Sequence, residues 1–131
     1  MNNMNMTNTS ETVLLLEDDR ALNRAVSFKL KQKGHNVIST ERAEEALDVL
    51  DAQHPKVDVI WLDLLLPKMN GMEFLSRLRS KPEYRDTKVV ICSVSGREES
   101  RGIARGLGAV DYLIKSDYNL DSLTDKVLSY A

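Results

Sequence analysis

Acidic side chains follow two mostly apolar segments of the chain. Glu17 and Asp18 come directly after the run 13–16, and Asp63 comes directly after the run 57–62. Carboxylates that are held close together repel one another, and their pKa values rise unless a cation lies between them. Carboxylate oxygens suit Mg²⁺, which binds through one or two carboxylates and keeps several waters. If the two segments lie side by side, these residues form a divalent-metal site.

A carboxylate beside bound Mg²⁺ can attack a phosphoryl group and form an aspartyl phosphate. Asp63 is the best-placed nucleophile, because an ionisable group directly after a buried strand has no packing role. The Lys115 ammonium and the Ser93 hydroxyl would then stabilise the phosphoryl oxygens. Taken alone, Lys115 is typical of a surface charge, Ser93 of a turn and Asp19 of a helix cap.

An alternation of strands and helices would position these residues. Apolar runs predict strands over residues 13–16, 36–39, 57–62, 88–92 and 109–114. Helical spacing of apolar residues predicts a first helix between Asp19 and Gly34, and later helices over 41–52, 71–80, 97–107 and 119–130. Such repeats predict an α/β fold: a doubly wound, five-stranded parallel sheet with helices on both faces. Ligands of such sheets bind beyond the carboxyl ends of the strands.

Length and composition set limits on the function. The 131 residues, 42% hydrophobic and 29% charged, fit one globular domain over residues 12–131 after a disordered tail over 1–11. A net charge of -2 argues against direct binding of nucleic acid. A lone cysteine, Cys92, and the lack of an apolar segment of membrane-spanning length predict a cytoplasmic protein without a membrane partner.

In this order, the residues resemble the receiver domain of two-component response regulators. The segment VDVIWLDLLLPKMNGMEFLSRLR is similar to the family's phosphoacceptor loop, and LLLEDD is similar to its acidic pair. The resemblance covers residues 12–131 and implies the strand order 2-1-3-4-5 of a stand-alone receiver. The matching positions are Glu17, Asp18, Asp63, Pro67, Gly71, Ser93, Gly108, Ala109, Tyr112 and Lys115.

The resemblance implies a role for each group around the acidic site. A histidine kinase or a histidine phosphotransfer protein would donate its phosphoryl group to Asp63. Mg²⁺ or Mn²⁺ would be bound by Asp18, Asp63 and the backbone carbonyl of Leu65, with Glu17 acting through a water. Lys115 would bind the phosphoryl group. The domain would be a phosphoacceptor rather than an enzyme, catalysing only its own phosphotransfer and slow dephosphorylation.

The resemblance also implies a conformational switch. Ser93 would move toward the phosphoryl group, and Tyr112 would turn inward behind it. The α4-β5-α5 face, made of the fourth helix, fifth strand and fifth helix, would then change its affinity for a downstream protein or for a second copy of the chain. A set of charges near this face fits either a docking surface or an ordinary solvated surface: Arg97, Arg101, Arg105, Asp111, Asp121 and Asp125.

Three positions depart from the family pattern. Ser116 stands where the family usually has a proline whose cis peptide bond helps to aim the lysine, so Lys115 is either differently aimed or held with strain. Val94 stands where the family usually has a small residue, and its branched side chain would narrow access to the phosphoryl group. Leu65 offers no polar group to an attacking water, which predicts slow self-dephosphorylation.

Other classes of protein share parts of this pattern. A flavodoxin-like cofactor binder needs a phosphate-cradling loop after the first strand, where this chain has acids. A haloacid-dehalogenase-type phosphatase needs a second aspartate two residues after the nucleophile, where this chain has Leu65. A P-loop motif does not occur in the sequence. A pseudo-receiver, which keeps the fold as a binding scaffold without phosphotransfer, stays an alternative because of Ser116 and Val94.

Overall fold

A computed structural model describes residues 10–131 of the chain, so most of the predicted tail lies outside the described residues. Ser10 and Glu11, at the end of that tail, are tied to the loop before the second strand. Ser10 Oγ donates a hydrogen bond to the Gly34 carbonyl at 2.9 Å, and the Glu11 N–H donates to His35 Nδ1 at 3.0 Å. No helix within residues 10–131 is long and apolar enough to span a bilayer.

Five strands alternate with five helices. The strands β1 to β5 are Thr12–Leu16, Asn36–Thr40, Val59–Leu62, Lys88–Ser93 and Asp111–Ile114. The helices α1 to α5 are Arg20–Gln32, Ala43–Gln53, Gly71–Arg79, Glu98–Gly106 and Leu120–Leu128. Single turns of 3₁₀ helix occupy Pro82–Tyr84 and Lys115–Asp117. Each predicted element is present, which confirms the α/β alternation.

The sheet is parallel throughout, with strand order β2-β1-β3-β4-β5, as expected. The strand order reverses at β1 and β3, which are direct neighbours. Leu16 of β1 pairs in register with Leu62 of β3, and the Asp63 N–H donates to the Leu16 carbonyl at 3.0 Å. The residues that follow these two strands therefore emerge side by side, at the place where doubly wound sheets bind ligands.

Both faces of the sheet are covered by helices. One apolar cluster packs the sheet against α2 and α3 and includes Leu14, Ile60 and Phe74. The other packs it against α1 and α5 and includes Leu15, Trp61 and Val127. Each large side chain buried in this way contributes about 1.5–3 kcal/mol. The continuous burial explains why the strands are apolar runs rather than alternating patterns.

Two strands begin two residues later than predicted. Asp58 binds Thr12, the first residue of β1, with both its backbone and its side chain. The Asp58 N–H donates to the Thr12 carbonyl at 2.9 Å, and the Asp58 carboxylate accepts from the Thr12 N–H at 2.7 Å. Ala109 closes the end of α4 instead of starting β5, since its N–H donates to the Ala104 carbonyl at 3.0 Å after Gly108 at φ 82°. Apolar patterning reveals neither the contact of Asp58 with Thr12 nor the left-handed turn at Gly108.

Ser39 and Thr40 at the end of β2 do not cap α2, whose N-cap residue is Arg42. The Thr40 hydroxyl donates to the Leu15 carbonyl at 2.8 Å, and the Ser39 hydroxyl donates to Asn23 Oδ1 at 2.6 Å. Both hydroxyls join β2 to neighbouring elements. The carboxylate of Glu45, in the first turn of α2, instead accepts a hydrogen bond from the backbone N–H of Glu41 at 2.9 Å.

Candidate functional site

Three carboxylates meet at the carboxyl ends of β1 and β3. Glu17, Asp18 and Asp63 each place one oxygen within 4.8 Å of the others, a separation that suits a shared metal ion. Glu17 and Asp63 are buried and Asp18 is exposed, so solvent reaches the cluster at Asp18. The structure thus brings together the acids that the sequence predicted, and the set consists of hard oxygen donors.

Lys115 reaches the same cluster from the end of β5. Its Nζ lies 2.7 Å from Glu17 Oε1 and 3.5 Å from Asp63 Oδ2. The peptide bond between Lys115 and Ser116 is trans, as are the other peptide bonds of residues 10–131. With serine at position 116, the Lys115 ammonium still reaches Glu17 and Asp63. Lys115 is therefore not aimed away from the acids.

Burial raises the pKa of Asp63 to about 8, and the negative charge of Glu17 adds to this effect while Lys115 opposes it. For Lys115, burial lowers the pKa, but the hydrogen bond and the charge of Glu17 outweigh burial, so the pKa lies above its usual value. Lys115 is accordingly a cation, and further positive charge beside Asp63 would favour the ionised form of its carboxyl group.

Metal binding is expected to depend on pH through this proton. Mg²⁺ must displace the Asp63 proton at pH below about 8, so the apparent affinity should rise by up to about tenfold per pH unit toward 8 and then level off. Titrating Mg²⁺ against the fluorescence of Trp61, which lies two residues from Asp63, measures this dependence. Asp19→Asn, which keeps a good helix cap outside the cluster, should behave like the wild type. A flat profile between pH 6 and pH 8 would contradict the prediction.

The loop after Asp63 is folded tightly against it. The Leu65 N–H donates to Asp63 Oδ1 at 3.1 Å, and the Leu65 side chain is 62% exposed. Gly71, the first residue of α3, lies so close that an added Cβ would approach the Asp63 carbonyl oxygen and come within 2.7 Å of Leu64 Cα. Only glycine allows this approach, because contacts under 3.0 Å force the backbone to shift. The loop thus binds the Asp63 carboxylate through a backbone N–H.

The two predicted switch residues bind the same short loop after β4. Ser93 is buried, and its hydroxyl accepts from the Ser95 N–H at 3.3 Å. The Tyr112 hydroxyl donates to the Ser95 carbonyl at 2.8 Å, and the Arg101 guanidinium lies 4.9 Å from the centre of the Tyr112 ring. Among residues 10–131 neither side chain hydrogen-bonds to the three acids. The sequence did not indicate that both contacts converge on Ser95.

Residues 13–128 match the family model described as the response regulator receiver domain. The chain belongs to the response-regulator receiver family. Receiver domains are phosphoacceptor signalling domains of two-component systems rather than conventional enzymes. The transcriptional regulatory protein CpxR of Escherichia coli (strain K12) is 38% identical over 103 residues, which cover 79% of this chain and 42% of CpxR. The chain thus spans less than half the length of this curated relative.

Solved receiver structures resemble this domain over nearly its whole length. The Mn²⁺-bound form of response regulator Rcp1 is 31% identical, with a TM-score of 0.77 over 91% of this chain and 90% of Rcp1. The phosphorylated cyanobacterial phytochrome response regulator RcpA is 30% identical, with a TM-score of 0.80 over 92% of this chain and 91% of RcpA. This receiver domain is therefore similar both to a metal-bound and to a phosphorylated relative.

The charged residues on and near the α4-β5-α5 face of this receiver domain are partly engaged elsewhere. The two acids of α5 form ion pairs with lysines of α1, namely Lys29 with Asp121, and Lys33 with Asp125 at 2.8 Å. Both acids therefore have partners inside the domain. Asp121 and Asp125 are therefore not free to form ion pairs with a partner that docks across α4 and α5. A homodimer through this face stays a prediction.

Two buried polar residues of the receiver site were not singled out by the sequence. Asn23 donates from Nδ2 to the carbonyls of Glu17 and Thr40, each at 3.0 Å, and so fixes the start of the acidic loop. The sequence feature that could have identified Asn23 is its position: it is a polar residue on the apolar face of α1 that also carries Val26. Trp61 donates from Nε1 to Glu17 Oε1 at 3.3 Å, although its sequence context indicates only a core or rim aromatic. A buried indole N–H needs an acceptor, which was the available signal.

Proposed function

We propose that this receiver domain accepts a phosphoryl group on Asp63 in a reaction that depends on a divalent metal. The observation that carries the proposal is the meeting of Glu17, Asp18 and Asp63 with the ammonium of Lys115 at one edge of the sheet. The charge of Lys115 alone does not compensate three carboxylates, so the site favours a further cation. The similarity to metal-bound Rcp1 and phosphorylated RcpA supports the same assignment.

Each side chain has a distinct part in the proposed reaction. Asp18, Asp63 and the Leu65 carbonyl would hold Mg²⁺ or Mn²⁺, with Glu17 acting through a water; the metal supplies positive charge to the phosphoryl oxygens when bound. The Asp63 carboxylate attacks phosphorus, a P–O bond forms, and the donor's bond to phosphorus breaks. Lys115 compensates the charge that develops on the phosphoryl oxygens.

The proposed partners follow from this chemistry. The donor would be a histidine kinase or a histidine phosphotransfer protein, and the receiver would act in the cytoplasm on a downstream protein through its α4-β5-α5 face. Ser93 and Tyr112 would transmit the change, because each contacts the backbone of Ser95. Phosphorylation would bias an equilibrium between two arrangements of this loop.

Acetyl phosphate and Mg²⁺ provide a direct test with the purified chain. Intact-mass analysis should show one phosphoryl adduct per chain, and its formation should stop when EDTA removes the metal. Asp58→Asn, which alters a partly buried contact at the opposite end of β3, is a matched control that should retain the adduct. Absence of an adduct with acetyl phosphate and with a phosphorylated histidine phosphotransfer protein would favour a pseudo-receiver scaffold.

Leu65 is expected to make the phosphorylated form long-lived. Its backbone N–H binds the Asp63 carboxylate, and its exposed side chain is apolar and cannot orient a water for attack on phosphorus. Leu65→Gln should shorten the half-life by about 3- to 10-fold, because an amide can hold the water. Leu65→Val, which is equally apolar, should change it little. A wild-type half-life of only seconds without a phosphatase would refute this prediction.

Val94 is expected to slow the loss of phosphate in a second way. It directly follows β4, the strand beside β3, and its side chain is 60% exposed. Val94→Ala should open the approach to phosphorus and accelerate phosphate loss by about 2- to 5-fold. The control is Val110→Ala, an exposed valine before β5, which should lose phosphate at the wild-type rate. Equal rates in Val94→Ala and the wild type would sink the idea.

A further inference from the structure

Trp61 contacts the acidic cluster from inside the core. Its side chain is almost completely buried between the sheet and the α1–α5 layer, and its Nε1 donates to Glu17 Oε1 at 3.3 Å. The same oxygen accepts from Lys115 Nζ at 2.7 Å. One carboxylate oxygen thus links an indole of the core to the ammonium of the site.

We propose that Trp61 is a positioning residue for the phosphorylation of Asp63. Its indole N–H holds the Glu17 carboxylate in the orientation that binds the Lys115 ammonium, and this keeps Lys115 within reach of Asp63. The inference rests on the proposed function of Asp63, and it adds a residue outside the acidic cluster to the site.

The surroundings make Trp61 a rigid anchor. It pairs in register with Leu15 of β1 and Val90 of β4, both of which are buried, so its ring cannot turn without disturbing the core. The other Glu17 oxygen, Oε2, accepts a hydrogen bond from the backbone N–H of Asp19 at 3.2 Å. Two fixed donors therefore set the plane of the Glu17 carboxylate, and the flexible lysine side chain adjusts to it.

A purely packing role for Trp61 predicts a different outcome from a positioning role. Trp61→Phe removes the N–H donor but keeps a buried aromatic ring. For a positioning residue, this change should lower the rate constant of phosphorylation by acetyl phosphate at saturating Mg²⁺ by about tenfold, the effect expected from a lost hydrogen bond to a charged group. The Mg²⁺ concentration for half-maximal rate should move by less than about twofold, because the three proposed direct ligands, Asp18, Asp63 and the Leu65 carbonyl, are unchanged.

Two further variants separate the explanations. Val90→Ala disturbs the packing around Trp61 and leaves the N–H in place, so its rate constant should stay within about twofold of the wild type. In a Glu17→Ala background, which removes the acceptor of the indole N–H, Trp61→Phe should cause little further loss, because a residue that acts through Glu17 has nothing left to position. A Trp61→Phe rate equal to the wild-type rate, or a full tenfold loss in the Glu17→Ala background, would overturn the proposal and leave phosphorylation of Asp63 intact.

A measurement on the unphosphorylated chain tests the linkage separately. Trp61 is the only tryptophan, so its indole N–H gives a single resonance in an NMR spectrum. Lys115→Ala should shift this resonance, since the lysine shares its acceptor oxygen, whereas Lys88→Ala at the far end of β4 should not. An unchanged resonance in Lys115→Ala overturns the linkage even if Trp61→Phe does not fold. If the wild-type chain accepts no phosphoryl group, the proposed function is wrong. The indole resonance then still tests whether Trp61 and Lys115 are linked through Glu17.

Discussion

Asp63→Asn should abolish the phosphoryl adduct and make the metal-free domain more stable. The amide cannot form an acyl phosphate, so the adduct formed with acetyl phosphate should fall below detection. The same change removes a buried charge, which burial and Glu17 disfavour strongly enough to raise the pKa of Asp63 to about 8. A residue kept for folding alone would not show this combination, because its loss normally destabilises the protein.

The stability gain has a defined dependence on pH. The folded protein holds a proton on Asp63 up to a pKa of about 8, whereas the unfolded chain releases it near 3.8. The wild type therefore loses stability as the pH rises from about 4 to about 8, and the asparagine variant does not. Above this window the variant should unfold with a free energy about 1–3 kcal/mol larger, allowing for water and local relaxation around the site.

Urea unfolding at several pH values, with Mg²⁺ removed by EDTA, measures this difference. Asp58→Asn is the control, because its carboxylate accepts a hydrogen bond from the Thr12 N–H and should not give a gain that grows with pH. Added Mg²⁺ should reverse the order of stability, since only the wild type binds the metal fully. Equal unfolding free energies of Asp63→Asn and the wild type at pH 8 would mean that Asp63 is not under electrostatic strain.

Lys115→Ala should have the second-largest effect on the reaction. Its ammonium lies 3.5 Å from Asp63 Oδ2 and is the cation placed to bind a phosphoryl group there. Removing such a donor should lower the phosphorylation rate constant by about 100-fold or more. The metal-free fold should also lose about 2–4 kcal/mol, because Glu17 then stays buried without its ion-pair partner.

Acetyl phosphate kinetics and urea unfolding of Lys115→Ala test both parts of the prediction. Lys115→Arg should recover most of the stability, since it restores the charge, but less of the rate, since its planar group is shaped differently. Lys88→Ala removes a lysine from the opposite end of the sheet and should leave both quantities unchanged. A Lys115→Ala variant phosphorylated at the wild-type rate would remove the lysine from the proposed reaction.

The sequence predicted the frame of this domain well because the frame depends on repeated local patterns. Apolar runs and helical spacing identified the five strands and five helices of residues 10–131, and the strand order that the resemblance implies then placed Asp63 beside Glu17 and Asp18. The register of Leu16 with Leu62 fixes this neighbourhood. The proximity of the three acids was therefore predictable from the sequence and the resemblance.

Contacts between side chains distant in the chain were not predictable in the same way. Asp58 binds Thr12 and delays the start of β3, and Trp61 binds Glu17 across 44 residues of chain. Patterning treats Trp61 as an apolar residue and ignores its N–H. The conformation of each of these residues depends on a partner that only the folded chain brings near.

The most direct test of the central claim is the position of the phosphoryl group itself. Borohydride reduces an acyl phosphate to an alcohol, so treatment of the phosphorylated wild-type chain should convert one aspartate to homoserine. Peptide mass spectrometry should find homoserine at position 63 only, and only when Mg²⁺ was present during phosphorylation. Homoserine at position 18 or elsewhere, or none at all on a chain that carries the adduct, would contradict the assignment of Asp63 as the phosphoacceptor.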